Sequence, residues 1–248
     1  MNRRYNVFII ACALLISCAG GNKLKHSNYN CTAKVQQAIG KYNEKKYSKT
    51  ATILEDVKLQ CGGNPIMDTA LYYLSMSYLR SKKYIEAHSE FERLARDFAS
   101  SMSAEEAQFR IAQITYLQSN PPDRDQTETK DAIRLLRDFI DAHPDSPWAD
   151  SADMYLSKAN DKLAEKEFRN GLFYDKINEP DAAVVYYKAM IQEYPGSRFA
   201  DQARLNLAQD LIGLKRYDEA REVLDELDSV SKNQEVLKKS KELRSRLK

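Results

Sequence analysis

Residues 143–152, HPDSPWADSA, decide the fold of this chain, because two other stretches repeat their pattern. FASSMSAEEA occupies residues 98–107, and YPGSRFADQA occupies residues 194–203. Each stretch combines a proline or small residues that end one helix, a serine that caps the next, and an alanine-rich helix start. The three stretches therefore predict three boundaries between helices.

Small and bulky residues precede each boundary in a fixed order. An alanine lies eleven residues before each stretch, and bulky apolar side chains follow it four and seven residues later. The same order occurs before Cys61 and near the C-terminus, and the first residues of successive sets are 37, 45, 51 and 37 residues apart. The five sets are Thr50, Leu54 and Val57; Ala87, Phe91 and Leu94; Ala132, Leu136 and Phe139; Ala183, Tyr187 and Met190; and Ala220, Leu224 and Leu227.

This order resembles the tetratricopeptide repeat, a helical hairpin of about 34 residues that stacks into a superhelix. The small residues let paired helices approach, and the bulky residues fill the space between them. We therefore predict an all-α fold, a tetratricopeptide-repeat-like α-solenoid of about five helical hairpins over residues 31–231. Residues 232–248 hold seven basic and two acidic side chains and are predicted to form a basic capping helix or tail.

Two of the five units are longer than the repeat requires. The third carries an insertion around residues 120–125, NPPDRD. In the fourth, apolar residues continue at helical spacing without a proline between Pro147 and Pro180, which predicts one helix from about Trp148 to Lys176.

The N-terminus resembles a bacterial lipoprotein signal peptide. Two arginines precede an apolar run that is too short to span a bilayer, and the run ends in Leu15-Ile16-Ser17-Cys18. The resemblance implies removal of residues 1–17, acylation of Cys18, a lipidated tether over residues 18–30 and delivery to the outer membrane. The alternative is an ordinary secretory signal that has a cysteine near its end by chance.

Charge and motif content exclude several classes of function. Without Arg3 and Arg4 the 38 basic residues of the chain fall to 36 and balance the 36 acidic ones, so nucleic acid is not expected as a partner. The three histidines have no metal-ligand partner at helical spacing, and no phosphate-binding loop or nucleophile elbow occurs. We expect no enzyme, no catalytic residues, no metal site and no cofactor.

Residues 122–129, PDRDQTET, resemble the BamD family, the lipoprotein subunit of the outer-membrane β-barrel assembly machine. Leu163-Ala164, Glu167-Phe168, Gly171 and Phe173-Tyr174 continue the match in the same order. The resemblance implies a protein on the periplasmic face of the outer membrane that docks a BamA-like barrel-forming subunit and other assembly-machine subunits, and receives unfolded outer-membrane protein segments. One departure is the sequence from Asn178 to Asp181, where the family usually has a turn that contains glycine.

Asp123, Arg124 and Asp125 lie in the predicted insertion and are expected to form a partner-facing loop. Arginine suits this role because its planar guanidinium pairs with a carboxylate of a partner. The alternative is that this segment only caps the following helix.

A peptide groove is predicted on the first helices of the first three hairpins, where three positions per helix face the concave surface. Apart from Gln113, these positions are apolar or aromatic, which suits a segment that alternates aromatic and polar residues as barrel strands do. The alternative is that they pack against neighbouring helices. The predicted groove residues are Val35, Ile39, Tyr42, Tyr72, Met76, Leu79, Phe109 and Tyr116.

Cys31 and Cys61 lie before the first helix and after the second helix of the first hairpin. An antiparallel hairpin brings both to its open end, which favours a disulfide in an oxidising periplasm, and two buried free thiols are the alternative. A rival function is a periplasmic tetratricopeptide-repeat adaptor of cell-division or envelope-linking complexes, which shares the helix-boundary turn but normally lacks a lipid anchor.

Overall fold

A computed structural model describes residues 29–247, so the signal peptide, the lipidation of Cys18 and most of the predicted tether lie outside the described residues. Eleven α-helices and a terminal 3-10 turn occupy most of the described residues. The helices are α1 Cys31–Asn43, α2 Tyr47–Gln60, α3 Met67–Arg80, α4 Tyr84–Asp97, α5 Met102–Gln118, α6 Thr127–Ala142, α7 Ala149–Lys176, α8 Pro180–Glu193, α9 Ala200–Gly213, α10 Tyr217–Val230 and α11 Gln234–Arg244.

The first ten helices form five antiparallel hairpins that pack in chain order. Each helix contacts its neighbours in sequence, and the first helices of the first four hairpins, α1, α3, α5 and α7, also contact one another in turn. The last helix, α11, packs on α9 and α10 and buries Val236, Ser240 and Leu243. The predicted all-α solenoid of five hairpins is therefore confirmed.

The repeated small and bulky residues form the core between the helices of each hairpin. All fifteen of them are at most 3% exposed, from Thr50 in α2 to Leu227 in α10. Small residues at the crossing points bring the helix axes together, so the large side chains fill the space between them. The spacing of the sequence pattern thus predicts which face of each second helix is buried.

The three boundary stretches adopt the same turn. The hydroxyl oxygens of Ser101, Ser146 and Ser197 each accept a hydrogen bond from the backbone N–H two residues later, at 3.1–3.2 Å. The hydroxyls of Ser101 and Ser146 also donate to Asp68 and Glu105, which belong to the preceding first helices. The serine therefore orders the helix start and also ties one hairpin to the previous one.

Four hairpins turn between their helices through one residue in the left-handed conformation. These residues are Lys45, Lys82, Asn178 and Lys215, with φ between 58° and 62°. In each turn the following N–H bonds to a carbonyl near the end of the first helix, which satisfies the unpaired helix terminus. Asn178 thus takes the conformation that glycine usually supplies, since asparagine tolerates positive φ better than most residues.

Helix α7 has 28 residues, twice the length of α8, and contacts two sets of neighbours. Its N-terminal half packs into the cores around Phe139 and Ile133 of the third hairpin. Its C-terminal half packs on α8, where a Cβ atom on Gly171 would overlap the ring of Tyr187. The predicted long helix is confirmed, and Gly171 sets how closely α7 and α8 approach.

We expect Gly171→Ala to destabilise the protein by about 1–3 kcal/mol, because the added methyl group forces Tyr187 out of its buried position. Chemical denaturation followed by circular dichroism measures this loss. Gly40→Ala is the matched control, because Gly40 is also inside a helix and has open space around its Cβ position. That variant should gain about 0.5–1 kcal/mol, and equal effects of the two substitutions would contradict the packing argument.

Candidate functional site

Three of the predicted groove residues are buried. Val35 and Phe109 are 0% and 1% exposed, so for these two the groove prediction is wrong, whereas Met76 is 4% exposed but lines a cavity beside α3. Phe109 lies against Phe139 at 5.8 Å between ring centroids and stacks on Trp148 at 5.6 Å. Side chains of the second helix of the same hairpin and of the turn before α7 therefore cover Phe109.

The remaining predicted groove residues, Ile39, Tyr42, Tyr72, Leu79 and Tyr116, are half-buried. Neighbouring rings cover part of each tyrosine. Tyr42 packs edge-on against Tyr73 at 5.2 Å, and Tyr116 packs on Tyr155 at 5.5 Å. Much of the predicted aromatic surface is therefore used for packing between hairpins.

A chain of hydrogen bonds joins α3, α5 and α7 along this face, and we call it the polar ladder. The hydroxyl of Tyr72 donates to Glu106 at 3.0 Å, and Arg110 donates to the same carboxylate at 2.8 and 3.0 Å. Arg110 also donates to Gln113 at 2.9 Å, and the amide of Gln113 donates to Tyr155 at 2.7 Å. The ladder links three hairpins through side chains alone.

Burial stabilises the ladder in one arrangement. The side chains of Glu106 and Arg110 are only 12% and 14% exposed, and the guanidinium of Arg110 lies 4.6 Å above the centre of the Trp148 ring. Burial and the Glu106 carboxylate both raise the pKa of Tyr72, so its hydroxyl stays protonated and continues to donate. The sequence gives little sign of this network, because its members come from three different helices.

An open cavity of about 250 Å³ adjoins the ladder between α3 and α5. Its apolar lining includes Met76, Leu79 and Leu117, and Leu117 is 38% exposed. Arg80 and Lys82 supply exposed positive charge at its edge. This cavity, which we call the α3–α5 pocket, is the open part of the predicted groove.

The insertion between α5 and α6 is an ordered loop over residues 119–126. Gln126 is 5% exposed, and its amide nitrogen donates to the backbone carbonyls of Pro121, Arg124 and Asp125 at 2.6–3.2 Å. Its side-chain oxygen accepts from Thr129 at 2.8 Å. Gln126 therefore determines the loop conformation, a role that no sequence pattern indicates because its partners are backbone carbonyls.

The three predicted partner-loop residues, Asp123, Arg124 and Asp125, are exposed. Asp125 accepts the backbone N–H of Thr127 at 3.0 Å, and this bond holds the pKa of Asp125 below its usual range. Asp125 thus orders the start of α6. The exposed Arg124 and Asp123 lie on a loop whose conformation other residues maintain.

The sulfurs of Cys31 and Cys61 form a disulfide at the open end of the first hairpin, with the Cα atoms 6.0 Å apart. The bond closes a loop with a sequence separation of 30 residues. In the chain-entropy model, a crosslink of this span stabilises the folded state by roughly 3–4 kcal/mol. The disulfide holds α1 to the end of α2. This crosslink adds to the few packing contacts of α1, whose buried residues are only Val35 and Ala38.

A pair of carboxylates lies where α7, α8 and α9 meet, beside a cavity of about 300 Å³. Tyr187 donates to Asp175 at 2.5 Å and accepts from Asn206 at 3.1 Å. Buried oxygens of Asp175 and Asp210 find no donor among the described residues, and a proton shared by the two carboxyl groups would satisfy them. Burial, together with the Asp175 carboxylate, raises the pKa of Asp210 to about 7.

Two wider properties of residues 29–247 bear on function. No helix in this part of the chain is long and apolar enough to cross a bilayer. No group of three or more His, Cys, Asp or Glu side chains in the same part is placed to hold a metal ion.

Comparison with known proteins gives a family match over most of the chain. The model of the YfiO family, described as outer membrane lipoprotein, matches residues 30–239. The outer membrane protein assembly factor BamD of Caulobacter vibrioides is 26% identical over 145 residues, which cover 58% of this chain and 48% of that protein. The chain thus spans about half the length of this relative.

Two further proteins are similar over a larger share of their length. BamD of Rickettsia prowazekii is 24% identical over 206 residues, which cover 82% of each chain. Among solved structures, a tetratricopeptide-repeat protein of Thermus thermophilus is 17% identical with a TM-score of 0.37, over 86% of this chain and 98% of that one.

We expect Asp210→Asn to stabilise the protein at pH 8 and to do so progressively less as the pH falls to 5 and below. The folded state holds a proton on Asp210 up to about pH 7, whereas the ordinary value for aspartate is 3.8. The stability associated with this proton is fully present below pH 3.8 and is lost as the pH rises through 7. The neutral amide of asparagine avoids that loss, so the free energy of unfolding of the variant should be higher by on the order of 1 kcal/mol at pH 8. This figure is smaller than the pKa shift alone would give, because the carboxylate pair is partly exposed to solvent.

Denaturation of both proteins between pH 5 and pH 8 measures this difference. Asp145→Asn, which changes an exposed aspartate in the turn before α7, is the matched control and should leave the pH profile unchanged. A constant difference between Asp210→Asn and the original protein at all pH values would contradict the shared proton.

Proposed function

Because the chain belongs to the BamD family of outer membrane lipoproteins, we propose that it is a non-enzymatic scaffold subunit of the outer-membrane β-barrel assembly machine. The observation that carries this proposal is the family match over residues 30–239, which spans all five hairpins. The proposal includes a lipid anchor at Cys18 in the outer membrane and a folded unit that faces the periplasm.

The proposed site for unfolded outer-membrane protein segments is the α3–α5 pocket. Its apolar lining can hold one side chain of an extended segment, and the exposed Arg80 and Lys82 can contact polar neighbours of that side chain. The polar ladder supports this role, because a ladder with satisfied hydrogen bonds gives the pocket a rigid wall. Segments that alternate apolar and polar residues, as barrel strands do, match this arrangement.

The proposed docking surface for the barrel-forming subunit is at the C-terminal end of α7. Phe173 and Ile177 lie one turn apart there and are 56% and 49% exposed. Tyr174 stacks on Tyr186 of α8 at 5.1 Å, which fixes the neighbouring backbone. Exposed apolar side chains on a rigid base suit a protein interface. The exposed Arg124 offers a separate charged contact for a partner subunit.

We expect Leu117→Ser to weaken binding of a barrel-strand peptide by roughly three- to tenfold, because it removes an apolar side chain from the α3–α5 pocket. The measurement is fluorescence anisotropy of a labelled transmembrane-strand peptide with the full chain. Leu59→Ser is the matched control, since Leu59 is an exposed leucine of α2 outside the pocket. Equal affinities of the two variants would contradict the assignment of the pocket.

Affinity purification from gently solubilised membranes tests the partner. The original protein should recover a large barrel protein with periplasmic domains, and Phe173→Ser combined with Ile177→Ser should recover much less of it, because the apolar contact is lost. Ile85→Ser changes an exposed isoleucine on α4 and should leave recovery unchanged. Recovery of peptidoglycan-linked partners instead would favour the periplasmic adaptor function.

A further inference from the structure

A second apolar cavity, of about 490 Å³, lies between α8 and α10 above α9, and we call it the α8–α10 pocket. Ile191, Leu207 and Val223 supply apolar walls from all three helices. Arg204 and Glu226 also line it. An apolar cavity with a few charged groups is the usual form of a binding site in proteins.

Arg204 is the unusual residue in this pocket. It is 2% exposed, and its Nε and Nη2 atoms donate to Oε1 of Glu226 at 3.1 and 2.7 Å. Both bonds thus end on one carboxylate oxygen, although a guanidinium fork matches the two oxygens of a carboxylate. The side chain of Glu226 is 52% exposed, so it can rotate into solvent.

The repeat itself does not require this buried charge. Gln108 and Asp153 follow the final alanines of the first two boundary stretches, as Arg204 follows the third, and both are exposed. Burying the Arg204 guanidinium costs desolvation free energy, and a half-exposed carboxylate partner offsets that cost less than a fully buried one would. Packing of α9 on α10 therefore gives no reason for an arginine at this position, whereas recognition of an acidic group does.

We propose that the α8–α10 pocket docks a protein segment that presents one acidic side chain between apolar residues. The acidic side chain replaces Glu226 on Arg204, and the apolar neighbours contact Ile191 and Val223. The buried guanidinium of Arg204 beside the apolar walls favours a segment with one acidic side chain over a purely apolar segment. The site is separate from the α3–α5 pocket and the α7 surface, so the proposal does not depend on their roles.

The test uses the full chain and a short fluorescein-labelled peptide with one glutamate between leucines, together with its glutamine counterpart. Fluorescence anisotropy should give about tenfold tighter binding of the glutamate peptide, because a charge-assisted hydrogen bond is lost in the counterpart. Glu226→Gln should tighten binding of the glutamate peptide several-fold, since it removes the competing carboxylate. Arg204→Met should weaken it about tenfold.

Arg221→Met is the matched control, because Arg221 is an exposed arginine of α10 that lies outside the pocket lining and donates to Asp218 and to the carbonyl of Leu247. It should leave affinity unchanged. Equal binding of the two peptides, or unchanged affinity in Arg204→Met, would overturn the proposal. If Arg204→Met does not fold, the Glu226→Gln variant alone tests the proposal. In that case an affinity for the glutamate peptide that is unchanged or lower in Glu226→Gln overturns the proposal. Decanoate is also tested as a competitor. If decanoate binds as tightly as the peptide and displaces it, the site belongs to fatty carboxylates, and the proposal of a protein segment is overturned.

Discussion

The contact of Tyr187 with Gly171 holds the second half of the solenoid together. Because glycine has no Cβ atom, α8 comes close enough to α7 for the Tyr187 ring to be wholly buried. The same ring lies 5.8 Å from Phe168, and its hydroxyl bonds to Asp175 of α7 and Asn206 of α9. One side chain therefore joins three helices, and it also places the Asp175 carboxylate beside Asp210.

The sequence was sufficient to predict the hairpin order and the buried face of each second helix. A small residue followed at four and seven positions by bulky ones is a local pattern, and the helix converts it directly into one buried stripe. Phe91, Leu136 and Leu224 are accordingly all fully buried. The 28-residue helix α7 was predictable for the same reason, since apolar residues continue at helical spacing without a proline.

The concave face of the first helices is predicted less well than the buried face of the second helices. The spacing of residues along one helix does not tell how closely a neighbouring helix approaches it. Phe109 has the right spacing for a groove, yet Trp148, which is 39 residues further along the chain, covers it. Gln126 and Arg204 were missed for a related reason. Their roles depend on the backbone carbonyls of a folded loop and on Glu226, and neither partner could be known before the helices were placed.

The polar ladder limits what the neighbouring pocket can recognise. Arg110 already donates to Glu106 and Gln113 and lies on Trp148, so it has little capacity left to read a particular polar group of a ligand. The proposed binding in the α3–α5 pocket would then depend on apolar contact with residues such as Leu117 and on exposed cations at its edge.

Contacts of that kind accept many sequences that share an alternating pattern, which agrees with the scaffold function proposed above. Arg204 differs, because both of its bonds to Glu226 end on one exposed carboxylate that another acid can replace. A tolerant pocket near the first hairpins and a selective one near the last can therefore coexist on one solenoid. Both arginines bond to a carboxylate within the protein, and the difference lies in that partner, because Glu106 is 12% exposed and Glu226 is 52% exposed.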